Sequence, residues 1–310
     1  MIRSIIPAFF CTLLTVPTLA QQKTDTTIRV EQKTITLSEV VINNKLNVPA
    51  FIQRIKNDTS FYKAFRNLRV LGFTAINDIR MNDSDGRLKA GLRSKTRQLR
   101  TVRCRSMETL EETITGDIYD GNRNFNYYTA QLYASLFFTK DSVCGEDNIV
   151  AGRELSTAGK SGMEKHKEQL KMLFFNPGKR ISGLPFMSNK TAIYDDGMAD
   201  YYDMNIDMGM YNGKSCYIFS QKAKPGSGGT VVLDEMTTWF DSNTFDVLGR
   251  NYSLSYDAAV YDFNVSMEVV MTRFGELTVP SLIRYNGNWK AIFKKRERGV
   301  FTATLFDFQK

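Results

Sequence analysis

Histidine is almost absent from this sequence, and cysteine and proline are scarce. Its 310 residues include one histidine, four cysteines and seven prolines. A Ser-His-Asp or Cys-His catalytic arrangement would have to use the single histidine, His166. This residue falls on the apolar face of a predicted helix, with no acid within one turn on that face. We therefore interpret His166 as a neutral core residue rather than as a catalytic one.

The sequence also lacks the short motifs that mark common enzyme and cofactor sites. It contains no His-Glu-x-x-His, no clustered Cys/His pattern, no P-loop and no dinucleotide-binding glycine fingerprint. We predict a protein without catalytic activity, cofactor or metal site. The adjacent acids Asp195 and Asp196 would suit a carboxylate hydrolase, which needs two acids across a cleft. Solvated loop acids are the simpler interpretation.

Long apolar runs are absent apart from the first twenty residues. Arg3 precedes an uncharged, mostly apolar run that extends to Leu19, and the small residue Ala20 closes it. This order is typical of a secretory signal peptide, and the run is too short to span a bilayer. We expect residues 1–20 to be removed and the protein to be periplasmic. An association with the outer membrane or an extracellular location is the alternative.

Three cysteines follow that segment, namely Cys104, Cys144 and Cys216. An odd number allows one internal disulfide at most and leaves one thiol. The cysteines lie far apart in the chain, unlike zinc ligands, which come in close pairs. Buried free cysteines are the alternative to a disulfide, since Cys packs as a small hydrophobic residue. The pairing stays open on the sequence alone.

Basic residues outnumber acidic ones, and part of the excess falls on one predicted strand. The chain has 41 Lys and Arg against 33 Asp and Glu, a net charge of +8. Because successive strand residues point to opposite faces, five basic side chains share one face, here called the basic face: Arg87, Lys89, Arg93, Lys95 and Arg97. It would contact anionic lipid head groups or a partner. The structural alternative is a solvated strand face that discourages aggregation.

Hydrophobic periodicity predicts an α+β fold rich in antiparallel strands. Helical spacing predicts two short helices after Pro49 and longer helices within 124–139 and 160–175. Alternation of polar and apolar residues predicts strands at 70–81 and 87–97 and a meander from Tyr201 onward. Two Asn-Gly pairs are typical of tight hairpin turns. These pairs are Asn212-Gly213 and Asn286-Gly287.

The predicted strand faces near the C-terminus are rich in Phe, Tyr and Met. Methionine adapts to irregular apolar partners, so such a face would suit a pocket for acyl chains. An ordinary filled core is the other interpretation. The candidate pocket residues are Trp239, Tyr252, Phe263, Val265, Met267, Val269 and Met271.

The predicted organisation has three parts: a signal peptide (1–20), an N-terminal arm (21–48) and one antiparallel β domain (49–310) with a helical insert at 105–200. Within the arm, residues 36–42 resemble the Leu-x-Glu-Val-Val-Val segments of TonB-dependent outer-membrane receptors. There an extended strand adds to the edge of a partner's sheet. An ordinary first strand is the alternative.

The C-terminal half resembles the lipoprotein-carrier (LolA-like) superfamily of periplasmic proteins. The resemblance lies in residues 212–219 and in 237–247, where a Trp-x-Asp pair precedes a polar turn and an apolar restart. Val279-Pro280 followed by Ile283 continues it. It implies a curved antiparallel half-barrel with helices packed on one face, whose concave side holds acyl chains. The whole chain also resembles secreted envelope proteins of Bacteroidota.

Two functions are consistent with this sequence. The first is a periplasmic, non-enzymatic protein that binds a lipid or an acylated protein at the outer-membrane envelope, with peripheral membrane contact through the basic face. The second is an envelope scaffold whose segment 36–42 pairs with an outer-membrane receptor or a secretion component. We expect no nucleic-acid partner, because no aromatic residues interleave the basic face.

Overall fold

Antiparallel strands carry most of the chain and form one open, curved sheet. The structure is a computed structural model, and it describes residues 48–150, 171–181, 187, 189–195, 197–257, 261–291 and 295–310. The strands of these residues are β1 (Gly72–Asn82), β2 (Leu88–Arg100), β3 (Cys104–Thr115), β4 (Ser142–Cys144), β5 (Tyr202–Tyr211), β6 (Lys214–Ala223), β7 (Leu233–Asp241), β8 (Val247–Asp257), β9 (Tyr261–Phe274), β10 (Leu277–Ala291) and β11 (Glu297–Gln309). The predicted α+β class with an antiparallel sheet is confirmed.

The order of the strands places the last one near the middle of the sheet. It runs β4-β3-β2-β1-β11-β10-β9-β8-β7-β6-β5. Strand β1 pairs with β11, so that Ile79 lies opposite Phe301. Strands β4 and β5 form the two edges, and the connection between them therefore leads from one side of the sheet to the other. All described residues belong to one compact unit, Leu37–Lys310.

Two consecutive helices, α1 (Val48–Asn57) and α2 (Ser60–Asn67), precede the first strand. The Asp58 carboxylate accepts hydrogen bonds from the Ser60 amide (3.1 Å) and hydroxyl (2.9 Å) and so starts α2. Asn67 then donates to the Thr278 carbonyl at 2.8 Å and fixes the end of α2 to β10. Apolar residues at helical spacing form the buried side of α2. These are Phe61, Ala64 and Phe65.

A third helix, α3 (Tyr128–Phe137), is anchored to the sheet at its first turn. The Glu297 carboxylate of β11 accepts from the amides of Tyr128 (2.8 Å) and Thr129 (2.7 Å). It also accepts from the Thr129 hydroxyl at 2.7 Å. A carboxylate at this position satisfies amides that the helix itself cannot pair. A side chain that is distant in sequence therefore caps α3.

The sheet has an inner face, which α2 and α3 cover, and an outer face. Alternating residues of the strands point inward and form the hydrophobic core with the helices. On the inner face, the Tyr133 hydroxyl of α3 donates to Asn77 of β1 at 2.6 Å. The Tyr133 ring also packs on Phe301 of β11, with ring centroids 4.5 Å apart. The predicted placement of helices on one face agrees with these contacts.

One of the two predicted Asn-Gly turns is confirmed and the other is wrong. Asn212 and Gly213 have positive φ angles of 49° and 80° and join β5 to β6. In contrast, β10 runs without a turn through Asn286-Gly287, where Gly287 pairs with Val265 and Gly299. The Tyr285 ring lies over Gly287, so any side chain there would collide with it. Glycine serves close packing at this position rather than chain reversal.

The disulfide joins Cys104 and Cys144, which are paired residues of β3 and β4. Cys216 is a buried free thiol. The segment 105–200 differs from the predicted helical insert, because it begins with the rest of β3 and also contains β4. Of the helix predicted over 160–175, residues 171–175 are helical, and the helix ends before Asn176-Pro177-Gly178 as expected.

Several sequence predictions lie outside the described residues. They concern residues 1–20, the segment 36–42, His166 and Asp196. The neighbouring acid Asp195 forms an ion pair with Arg180 at 2.7 Å. Among the helices that the structure describes, none combines the length and apolar character needed to cross a bilayer.

Candidate ligand-binding cavity

A cavity, here called the helix-covered cavity, lies on the inner face beneath α2 and the end of α3. Its other walls are residues 171 and 175 and the inner faces of β1, β2 and β11. The cavity has a volume of about 90 Å³. Ligand pockets generally measure about 300–1,000 Å³. Uptake of a whole acyl chain therefore requires α2 and α3 to move further from the sheet.

Aromatic and aliphatic side chains form most of the cavity wall. Phe65 of α2 and Phe175 lie with ring centroids 4.8 Å apart. Phe73 and Ala75 come from β1, where strict alternation directs residues 73, 75, 77, 79 and 81 inward. The remaining aromatic and aliphatic residues of the wall are Tyr62, Leu68, Leu136, Phe137, Phe138, Ala303 and Leu305. This wall would remove apolar surface of a ligand from water.

Four basic side chains line the same cavity and are here called the basic rim: Arg66, Arg69, Arg105 and Lys171. Arg66 and Arg69 are three residues apart at the end of α2 and its 3₁₀ extension, so they project to the same side. Arg105 comes from β3. The rim therefore combines distant parts of the chain beside an apolar wall.

Two carboxylates from residues 145–148, here called the disulfide loop, contact the basic rim. Glu146 accepts from Arg69 through Oε1 at 2.8 Å and from Arg105 through Oε2 at 2.5 Å. Arg66 donates from Nη2 to the Asp147 carbonyl at 2.9 Å and lies 3.4 Å from its carboxylate. The Nε of Arg66 is buried and has no hydrogen-bond partner among the described residues.

The ionisation of Glu146 and Arg69 reflects this arrangement. Burial opposes the charged form of Glu146, but the Arg105 hydrogen bond and the charges of Arg69, Arg105 and Arg66 outweigh it and lower the pKa of the carboxyl. Burial and the neighbouring Arg66 charge lower the pKa of Arg69. A nearby anion stabilises the guanidinium groups of Arg66 and Arg69. In this structure the carboxylates of the disulfide loop supply that negative charge.

A polar side chain at the bottom of the cavity positions Arg105. The Gln98 amide nitrogen donates to the carbonyls of Leu68 and Leu71, both at 2.7 Å. Its oxygen accepts from Arg105 Nη1 at 3.1 Å and from Thr139 at 2.9 Å. Because Gln98 uses both ends of its amide, it holds the end of α2 and the guanidinium in fixed relative positions.

Six of the seven predicted pocket residues lie on the inner face, where they are mostly core. Tyr252 donates to the Phe174 carbonyl at 2.6 Å, and Met267 and Val269 are fully packed. Phe263 and Val265 line a second apolar cavity of about 30 Å³. Met271 borders a cleft near the start of β8 and the end of β9. The filled-core interpretation therefore describes most of this face.

The prediction that Trp239 lines a pocket with the other six residues is wrong, because Trp239 lies on the outer face. It pairs with Ile218 of β6 and Gly249 of β8, and these positions alternate with the inward residues of their strands. Its ring stacks on Tyr211 of β5, with centroids 4.7 Å apart. Trp239 therefore belongs to a separate outer cluster and cannot line the helix-covered cavity.

The residues of the predicted basic face are each engaged by a neighbour. Arg93, Lys95 and Arg97 share the outer face of β2, Arg87 lies in the preceding turn, and Lys89 lies 5.5 Å from the Tyr127 ring centroid. The four ion pairs are Arg87–Asp85 (2.9 Å), Arg93–Asp78 (3.4 Å), Lys95–Glu111 (3.8 Å) and Arg97–Glu108 (3.4 Å). Exposed pairs contribute little stability. Contact of this face with head groups stays a prediction.

The basic rim was not predicted as a site from the sequence. Arg66 and Arg69 follow the apolar stripe of α2 at a spacing that places them side by side, which is the one local signal. Arg105 follows the basic face in sequence, yet it pairs with Arg100 across β2 and β3 and lies at the cavity. Glu146 and Asp147 lie more than seventy residues from their partners Arg69 and Arg66.

Comparisons with known proteins give distant similarities in structure alone. No protein-family model matches this chain, and no curated protein is similar to it in sequence. The solved structures that are similar to it include a DUF1329 family protein from Desulfovibrio piger, with a TM-score of 0.28 and 11% identity over 83% of this chain and 92% of that chain. They also include a LolA superfamily protein from Nitrosomonas europaea (TM-score 0.23, 8% identity, 81% of this chain and 91% of that chain). Another is a domain described as an outer membrane lipoprotein-sorting protein from Vibrio parahaemolyticus (TM-score 0.25, 8% identity, 82% of this chain and 92% of that chain). At these TM-scores the similarities assign no function to any residue of this chain.

Proposed function

We propose that this protein binds a lipid, or the acyl chain of a lipidated protein, in the helix-covered cavity, and that it does so in the periplasm without catalysing a reaction. The observation that supports this is a cavity with an apolar wall and a charged rim between helices and an open sheet. An acyl chain would lie against the wall and leave its polar end at the rim. The wall residues Phe65, Phe73 and Phe175 would contact the chain.

Movement of α2 and α3 would enlarge the cavity for such a ligand. Helix α3 is fixed at its first turn by Glu297, whereas the residues that line the cavity, Ser135 to Phe138, lie at its other end. Tilting that end would break the hydrogen bonds of Tyr133 with Asn77 and of Thr139 with Gln98, so contacts with the ligand have to offset this loss. The apolar surface that the movement uncovers would be covered again by the ligand.

The direct test is uptake of palmitate by the purified protein, measured by native mass spectrometry. Ser135 is exposed on α3 yet borders the cavity, so Ser135→Trp should obstruct entry without disturbing the core. The matched control is Lys140→Trp, at an exposed position beyond the end of α3. We expect palmitate adducts for the wild type and the control and their loss in Ser135→Trp. Absence of adducts in all three proteins would contradict the proposal.

A further inference from the structure

We infer that the basic rim binds the anionic head group of an amphiphile, and that the disulfide loop occupies this position with its own carboxylates when no ligand is bound. The inference rests on the proposed function, since it assigns a chemical class to the ligand of the same cavity. The class is a single-chain or double-chain lipid whose head group carries a carboxylate or a phosphate. The residues that would bind it are Arg66 and Arg69, with Arg105 behind them.

The first argument is the position of the charges relative to the apolar wall. Phe65 and Arg66 are adjacent in α2, and both line the cavity. An amphiphile whose chain packs on Phe65 therefore has its polar end within reach of Arg66 and Arg69. The arginines are partly buried, with side-chain exposures of 11% and 33%. Ion pairs formed at such partly buried positions are less screened by salt than pairs on the surface.

The second argument is the geometry that Glu146 already shows. One oxygen of its carboxylate accepts from Arg69 and the other accepts from Arg105. A fatty-acid carboxylate or a phosphate presents oxygens of the same kind, so it could replace Glu146 without rearranging the guanidinium groups. The buried Nε of Arg66, which has no partner in the part of the chain that the structure describes, is a further donor for a head group with more than two oxygens.

The third argument is the way in which the disulfide loop is held. Cys144 is tied to Cys104, and the Gly145 amide donates to the Arg103 carbonyl at 3.0 Å, so the start of the loop is fixed. Beyond it, the described contacts of residues 146–148 with α2 and its 3₁₀ extension are polar, made by Lys63, Arg66, Asn67 and Arg69. None of residues 146–148 belongs to the hydrophobic core, so departure of the loop would break polar contacts and leave the core residues in place.

The test compares two lipids that share one acyl chain and differ in head-group charge. Lysophosphatidylglycerol carries an anionic phosphodiester, whereas the monoacylglycerol with the same chain has an uncharged head group. Both are titrated by native mass spectrometry below the concentrations at which they aggregate. We expect the wild type to prefer the anionic lipid by about tenfold or more, the effect of losing one charge-assisted contact. The double variant Arg66→Gln/Arg69→Gln should lose this preference and still bind the uncharged lipid. Circular dichroism verifies that it is folded.

A second variant acts in the opposite direction and does not depend on removing rim residues. Glu146→Gln weakens the internal competitor, so it should raise the affinity for lysophosphatidylglycerol and leave the affinity for the uncharged monoacylglycerol unchanged. The control for the loss of a basic side chain is Arg93→Gln on the outer face, which should keep the wild-type preference. Inorganic phosphate at millimolar concentration should not displace the anionic lipid.

The outcomes separate this inference from the proposed function. If both lipids bind equally to the wild type and to the Arg66→Gln/Arg69→Gln variant, the head-group site is wrong and lipid binding stands. If neither lipid binds, the proposed function fails. Loss of the preference in Arg93→Gln would place the head group on the outer face and overturn the inference. Displacement by phosphate alone would identify a site for free anions instead.

Discussion

The cap that Glu297 places on α3 gives a quantitative prediction for stability. The carboxylate accepts from two helix amides at 2.8 and 2.7 Å and from the Thr129 hydroxyl at 2.7 Å. A helix cap contributes about 1 kcal/mol, and a negative charge at a helix N-terminus adds about 0.3–1 kcal/mol. Glu297→Gln keeps one acceptor and loses the charge. We expect it to lower the free energy of unfolding by about 1–2 kcal/mol, and Glu297→Ala by more, since the amides then lack a partner.

Thermal unfolding can resolve a change of this size. For a domain of this length, about 1 kcal/mol shifts the melting temperature by about 2–4 °C. The matched control is Glu276→Gln, which makes the same chemical change at a side chain that is 95% exposed. We expect this control to stay within about 0.5 kcal/mol of the wild type. Hydrogen exchange should show faster exchange of the Tyr128 and Thr129 amides in Glu297→Gln. Equal melting temperatures for Glu297→Gln and the control would refute the assignment of Glu297 as the cap.

Three further predictions concern the disulfide loop, the free thiol and the outer face. The folded pKa of Glu146 lies below its ordinary value of 4.5, so its contribution to stability is present above pH 4.5 and is lost as the pH falls through the folded pKa. Glu146→Gln should therefore be less stable than the wild type at pH 7, and the difference in unfolding free energy should become smaller in acid. A difference that does not depend on pH in urea titrations would contradict this prediction. Burial raises the pKa of Cys216 to about 11. In protein that lacks residues 1–20, iodoacetamide at pH 8 should therefore label no thiol in the folded state and one thiol after unfolding. Labelling of two further thiols in the absence of a reductant would disprove the disulfide. A Cβ at Gly249 would collide with the Tyr211 ring, so Gly249→Ala should lower the free energy of unfolding, measured by chemical denaturation, by about 1–3 kcal/mol. Gly228 has open space around it, so the control Gly228→Ala should be nearly neutral.

Local patterns predicted the elements of this fold well. Helical spacing located α1, α2 and α3, and alternation located β1 and β2, because each pattern reflects the one face that an element buries. The turn at Asn212-Gly213 was predictable since two positive φ angles suit few other residues. The same dipeptide failed at Asn286-Gly287, where the need for glycine comes from the Tyr285 ring above it. A local sequence cannot distinguish these two reasons.

The candidate site was far less predictable, because it depends on contacts between distant segments. Arg69 and Glu146 are separated by 77 residues, and Arg66 and Asp147 by 81. Which segments meet is decided by the strand order, in particular by β1 joining β11. Trp239 failed for a related reason, since alternation defines two faces of a strand but does not say which one the helices cover.

The position of β11 has a consequence for how the molecule is assembled as it is synthesised. Until this strand emerges, β1 to β4 and β5 to β10 are two separate half-sheets, each with an unpaired strand edge near what becomes the middle of the sheet. Only the final strand can join them, and it must insert between partners that are already present. A nascent chain that stalls before residue 297 would therefore expose two unpaired strand edges at once. Its need for chaperones that prevent aggregation would be greatest at that stage.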